Sequence, residues 1–266
     1  MRGRGQEPEK KKPEKSSPNL STTLSTGQFN TEIEVIVGHN SDEGLLFVIA
    51  ELLDPSIWPM IQENFDTVVP MQIFNIANTS DITNVDVANA HKLIEYYVGS
   101  VENIDEENVQ GFVDMITDSW FAYGHHRTVD YLTKYGVPVF QYFFGYEGQV
   151  HVLDAYGING TGLGVCHAEE LIYFWEPAFS LNGDFGPYPL TGNDLIMRDI
   201  LVSAWTNFAK FGDPTPPDSG FEWQPQQSNS EHLFWYISSL EPSMGTSKDI
   251  EERWTLWNNL LGKNSP

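Results

Sequence analysis

The chain of 266 residues carries 14 basic and 37 acidic side chains, a formal net charge of −23, and is 40% hydrophobic with 8 Trp, 11 Tyr and 16 Phe. That length and apolar content bury a sizeable core, as one large domain or two small ones. The charge is lopsided: Met1–Ser16 hold six of the basic and three of the acidic residues, leaving a body of 8 against 34 that repels phosphate and speaks against nucleic-acid or anionic-membrane partners.

The lone cysteine, Cys166, rules out an internal disulfide and a Cys-rich zinc site. No run approaches a membrane span, and MRGRGQEPEKKKPEKSS has no apolar stretch behind its charges, so no secretion signal is expected in the chain as written. Sequons at Asn19, Asn78 and Asn159 would suit a secreted glycoprotein; the compartment stays open.

Residues 1–30 are Lys/Glu/Pro-rich and then Ser/Thr/Asn-rich, and are expected to form a disordered tail ahead of an ordered region at 31–266. TEIEVIVG (31–38), with Ile33, Val35 and Val37 alternating, predicts a strand ending in a turn. Ser41 is a candidate cap for a helix over EGLLFVIAELL. Helical spacing returns at 86–99 and again at 106–135, where Val109, Phe112, Ile116 and Trp120 fall on one stripe. GVPVFQYFFGYEG (136–148) reads as a buried strand, with Pro138 at an edge or an entry position. A glycine-rich loop, YGINGTGLG, leads to His167. The clearest helix follows Asn193, a candidate cap, with Ile196, Ile200, Ala204, Phe208 and Phe211 at helical spacing and Gly212 and Pro214 as its stop. The end, SKDIEERWTLWNNLL, predicts an amphipathic helix with Ile250, Trp254 and Trp257 inward. Few strands and many helices make the pattern α/β, and no repeat is present.

GVCHAEELIYFW (164–175) sets His167 after the glycine-rich loop. A neutral histidine serves as a general base near pH 7 when an acceptor, commonly a carboxylate, holds its other ring nitrogen. Glu169 and Glu170 are too close in sequence to fold back readily onto that ring. Glu43, in GHNSDEGLLF just beyond the first strand and before Gly44, is the better candidate. The residues alone leave open that His167 is a loop histidine in a structural hydrogen bond, and that Glu43 is a carboxylate favoured by a helix N-terminus. The pair His125–His126 is no metal site on its own, because adjacent helical residues face different ways. Trp120, Phe174 and Trp175 are either pocket-lining or core aromatics.

Two fragments taken together narrow the choice. VGHNSDEGLLF resembles the segment of type-B, cholinesterase-like carboxylesterases of the α/β-hydrolase fold that carries the acid of a Ser-Glu-His triad. GVCHAEELIYFW resembles the segment that carries the family's triad histidine. HRTVDYLTKYGVPVFQYFF and AWTNFAKFGDPTP are similar to two further segments of the family, in the same order. The likeness runs from about Glu32 to about Leu261. It implies Glu43 as the orienting acid, His167 as base and later acid, Glu170 as a supporting carboxylate behind the pair, and Cys166 as a packed small residue. It implies a small carboxylic ester as substrate, no cofactor and no metal, and relatives that are often secreted.

Such a hydrolase needs a serine in G-x-S-x-G and glycine amides for the oxyanion. Ser41, Ser100 and Ser219 lack the flanking glycines. In the resembling family both parts lie upstream of the acid, so the sequence reads as a C-terminal half: a fragment, expected to be inactive alone. An unpaired apolar edge at EIEVIV is expected to aggregate or to dock a complementary N-terminal fragment. The alternative is a non-catalytic binding or adhesion module of the same fold. The ester itself is not legible, since its pockets would be lined partly by the other half.

Overall fold

The structure, a computed structural model, describes residues 20–175, 190–215, 220–228 and 230–261. A short helix, α1 (Leu20–Thr26), occupies part of the expected tail, so order begins ahead of residue 31. Apolar contact explains it: Leu24 and Phe29 pack against Val129, Leu132, Val137 and Val139, and the Tyr135 hydroxyl donates to the Ser25 carbonyl at 2.8 Å.

Strand β1 (Val35–Asn40) leads into a tight 3-10 turn over Glu43–Val48 and the short α2 (Ile49–Leu53), not into one continuous helix. Ser41 does not cap it, because its hydroxyl donates to the neighbouring Asp42 carboxylate. Three helices follow: α3 (Ile57–Glu63), α4 (Phe65–Ile73) and α5 (Asn84–Tyr97). Thr83 and Asp86 cap α5 reciprocally, side chain to backbone in both directions.

The 106–135 region is α6 (Val109–Thr117) and α7 (Tyr123–Lys134), joined by a wide π turn at Asp118–Ala122. The π turn breaks the expected stripe. Phe112 and Ile116 are buried, but the extra residue per turn rotates Trp120 outward to 41% exposure.

β2 (Val139–Phe144) pairs in parallel with β1 and with β3 (Phe234–Ile237), so it is central and Pro138 marks its entry, where its carbonyl accepts from Val35 N. β4 (Ser243–Gly245) closes the sheet antiparallel to β3, in the order β1-β2-β3-β4. Among the described residues β1 has β2 as its sole neighbour.

The long α8 (Asn193–Phe211) packs on the sheet through Met197, Leu201 and Ala204, with Trp205, Trp223 and Trp235 beside them. Of the expected stripe, Ala204 is buried and Ile200 and Phe208 are half-buried against the same core, whereas Ile196 and Phe211 near the two ends are exposed, and Gly192, not Asn193, precedes the helix. The final helix, α9 (Lys248–Leu261), turns Ile250, Trp254 and Trp257 inward as its spacing predicts. Its Arg253 also pairs with the buried Asp118 at 3.2 Å, joining α9 to the π turn.

Candidate active site

Two loops at the C-terminal ends of β1 and β2 build the site, the place where an open α/β sheet commonly presents side chains to a ligand. Glu43 opens the 3-10 turn after β1, and its backbone is held close to α6. Gly44 N donates to Thr117 Oγ1 at 2.9 Å, and a Cβ on Gly44 would sit 2.3 Å from the Val113 carbonyl oxygen. Glycine is therefore required there by packing. The histidine loop is fastened to the acid loop on its other side. Asp42 N donates to Val165 O at 3.0 Å, and Val165 N returns a bond to Asp42 Oδ2 at 3.1 Å. Gly164, at φ 104°, lets that carboxylate approach, since any Cβ would lie 2.1 Å from Asp42 Oδ2.

These fastenings bring Glu43 and His167 together across 124 residues of sequence, with Glu43 Oε2 at 2.6 Å from His167 Nδ1. The other carboxylate oxygen, Oε1, accepts Asn40 N at 2.8 Å, which fixes the orientation of the acid. An ionised carboxylate only accepts, so Nδ1 is the donor and Nε2 keeps its lone pair. The acid is buried, with its side chain 6% exposed, whereas the imidazole is 40% exposed. The Glu43 hydrogen bond and charge raise the pKa of His167 above its ordinary value, against partial burial that lowers it. The rings of Phe121 and Phe47, at 4.8 and 6.2 Å, wall the imidazole on its apolar side.

Glu170 does not touch the imidazole. Its Oε2 accepts Asn40 Nδ2 at 2.7 Å, and the same amide donates to Cys166 O at 2.8 Å, so Asn40 ties together Glu43, Glu170 and the histidine loop. Burial raises the pKa of Glu170, and the Asn40 bond works against that. Cys166 is fully buried, and desolvation lifts its thiol far above the usual range. A second buried pair, His151 Nδ1 with Glu169 Oε1 at 2.8 Å, escapes sequence reasoning.

Trp120 lines a cavity of about 670 Å³ with Phe121, Tyr123 and Trp257. Phe174 and Trp175 line another, of about 450 Å³, with Val202 and Trp205. The rings of His125 and His126 are both buried and stack nearly parallel, 13° apart, His125 against His39 and His126 against His232. Among the described residues no group of three or more His, Cys, Asp or Glu could hold a metal ion. Ser219 lies outside the described residues.

Comparison with known proteins agrees with this architecture. The sequence profile of the Carboxylesterase family matches residues 12–250, and the chain belongs to that family. It is similar to juvenile hormone esterase of Tribolium castaneum, at 30% identity over 73% of this chain and 33% of that protein. It is also similar to human Neuroligin-3, at 24% identity over 73% of this chain and 22% of that protein. The crystal structure of juvenile hormone esterase from Manduca sexta, with OTFP covalently attached, superposes with a TM-score of 0.68 at 20% identity. It covers 90% of this chain and 43% of its own, and places the chain in the α/β-hydrolase fold. The chain thus spans between a third and two-fifths of the length of the esterases it matches.

Proposed function

We propose that this chain carries the acid–base half of a Ser-Glu-His carboxylic ester hydrolase. The 2.6 Å contact between Glu43 and His167 supports the reading, with the imidazole half-buried beside an aromatic wall. In that reaction Nε2 takes the proton of a serine hydroxyl as its oxygen attacks the ester carbonyl. The imidazolium, stabilised by Glu43, then hands the proton to the departing alcohol oxygen, and water repeats the cycle on the acyl-serine. Glu43 holds the tautomer and orientation throughout. Glu170 acts behind the pair, through Asn40.

The sequence contains no G-x-S-x-G, so the serine and the oxyanion donors belong to a complementary segment placed beside β1. The 266-residue chain by itself should leave a p-nitrophenyl ester unhydrolysed and a fluorophosphonate probe unattached, because the members of such a unit act together. Co-expression with the upstream half of a family member should restore turnover, and His167→Gln should remove it. Rapid turnover by the chain alone, lost on His167→Gln, would overturn the division of labour. Restored turnover that survives both His167→Gln and Glu43→Gln would overturn the residue roles.

The likeness to Neuroligin-3 fits a second reading, a non-catalytic binding or adhesion module of the same fold. The intact Glu43–His167 contact favours the hydrolase, because a binding module has no need of an oriented imidazole.

A further inference from the structure

The histidine loop contains a strained residue one position after the base. Ala168 sits at φ 67°, in the left-handed region, where a Cβ crowds the backbone. Without support an alanine there relaxes toward negative φ and turns its neighbour with it. The support comes from the next residue. Glu169 Oε2 accepts Cys166 N at 3.1 Å, closing the turn over His167 and Ala168, and Glu169 N donates to Cys166 O at 3.2 Å. Its other oxygen accepts from His151 Nδ1 at 2.8 Å, with both side chains 2% exposed.

His151 is fixed in turn. Its backbone N donates to Asp154 Oδ2 at 3.0 Å, and a Cβ on Gly160 would lie 2.4 Å from the His151 Cβ, so the loop fits closely around it. The charged groups facing His151 are Glu169, Asp154 and Glu147, all acidic. A buried carboxylate with both oxygens occupied, one by a backbone amide and one by an imidazole, is a rigid strut.

We propose that Glu169 is a positioning residue for His167: by closing the Cys166–Glu169 turn it keeps Ala168 left-handed and the imidazole aimed at Glu43. The inference rests on the reading of Glu43 and His167 as an acid–base pair, and it needs no turnover to test. The readout is the NMR titration of the His167 imidazole in the full chain with labelled histidine, assigned through His167→Gln. Far-UV circular dichroism and the resonances of the other histidines serve as the check on folding.

Glu169→Gln should lower the His167 midpoint by about half a pH unit or more, toward the value in Glu43→Gln, as the pairing loosens. Adding Ala168→Gly should move it at least half-way back, because glycine adopts φ 67° without the penalty. Ala168→Val strains the same turn without touching the buried carboxylate, and should lower the midpoint too. This second variant decides the matter if Glu169→Gln fails to fold. A folded Glu169→Gln or Ala168→Val with an unmoved midpoint overturns the proposal, as does a fall that Ala168→Gly leaves uncorrected. Insensitivity to Glu43→Gln would instead sink the acid–base pair itself, so the two failures are distinguishable.

Discussion

The half-buried imidazole of His167 donates from Nδ1 to a buried carboxylate, and its raised pKa follows from that contact. A histidine with a folded pKa above its unfolded value of about 6.5 binds the extra proton in the folded state. The stability this contributes is fully present below about pH 6.5 and is lost as the pH rises through the folded pKa. Glu43→Gln removes the charge but keeps an acceptor for Asn40 N. Its deficit against the parent chain should therefore be larger at about pH 5.5 than at about pH 8.5 in urea unfolding. A deficit that is flat or grows with pH would mean that the imidazolium is not held by this acid. Glu43 and His167 were legible because each lies in its own short motif. His151 and Glu169 were not, since 18 residues of loop separate them and no periodicity relates a loop histidine to a carboxylate beyond a glycine-rich turn. Ala168 was illegible for a related reason: its left-handed backbone is imposed by bonds around it and not by its own side chain.

At the scale of elements, the buried apolar side chains of α8 are Met197, Leu201 and Ala204, and the helix turns Ile196, Val202 and Phe211 toward solvent. Met197, Leu201 and Ala204 have helical spacing, and so does the overlapping series Ile196, Ile200, Ala204 and Phe208, of which Ile200 and Phe208 are half-buried against the core. A sequence with two apolar series fixes the existence of the helix but not its rotation, which the sheet beneath decides. Leu201→Ala should cost about 2–5 kcal/mol, because Leu201 is 1% exposed among Trp and Phe side chains that cannot close around a cavity. Ile196→Ala, at 48% exposure, should stay within about 0.5 kcal/mol. Denaturant melts of the two variants measure the difference, and equal losses would mean that α8 lies in the other rotation. The same limit applies to α6 and α7. Their apolar spacing was readable on either side of the π turn, but nothing in the spacing announces the extra residue that swings Trp120 outward. In α9 the large apolar residues gather on one side, Ile250, Trp254 and Trp257 buried and Leu256, Leu260 and Leu261 half-buried beside them, and there the reading and the structure coincide.

For the molecule as a whole the sheet sets the terms, because among the described residues β1 is an edge, and it carries the acid loop. Val35 N and Ser41 N both bond to the β2 side, so in a parallel ladder the amides of Ile36 and Gly38 point the other way, toward the free edge. Asn40 N, which shares that side, reaches Glu43 Oε1 instead, so the free edge and the orientation of the acid are coupled through a single residue. A strand added in parallel to Ile36 and Gly38 would end next to the Glu43 loop, where a serine turn on that strand could meet Nε2 of His167. The chain alone should accordingly self-associate in light scattering as its concentration rises, and co-expression with an upstream half from the family should give a soluble complex of one copy each. Ile36→Pro deletes one edge donor without removing any bond to β2, and should weaken that capture while leaving the β1–β2 pairing in place. A lone chain that stays monomeric with one sharp melt, and a complex indifferent to Ile36→Pro, would together show that the β1 edge needs no partner. The nucleophile of the proposed hydrolase would then have to approach His167 from somewhere other than the strand beside Glu43.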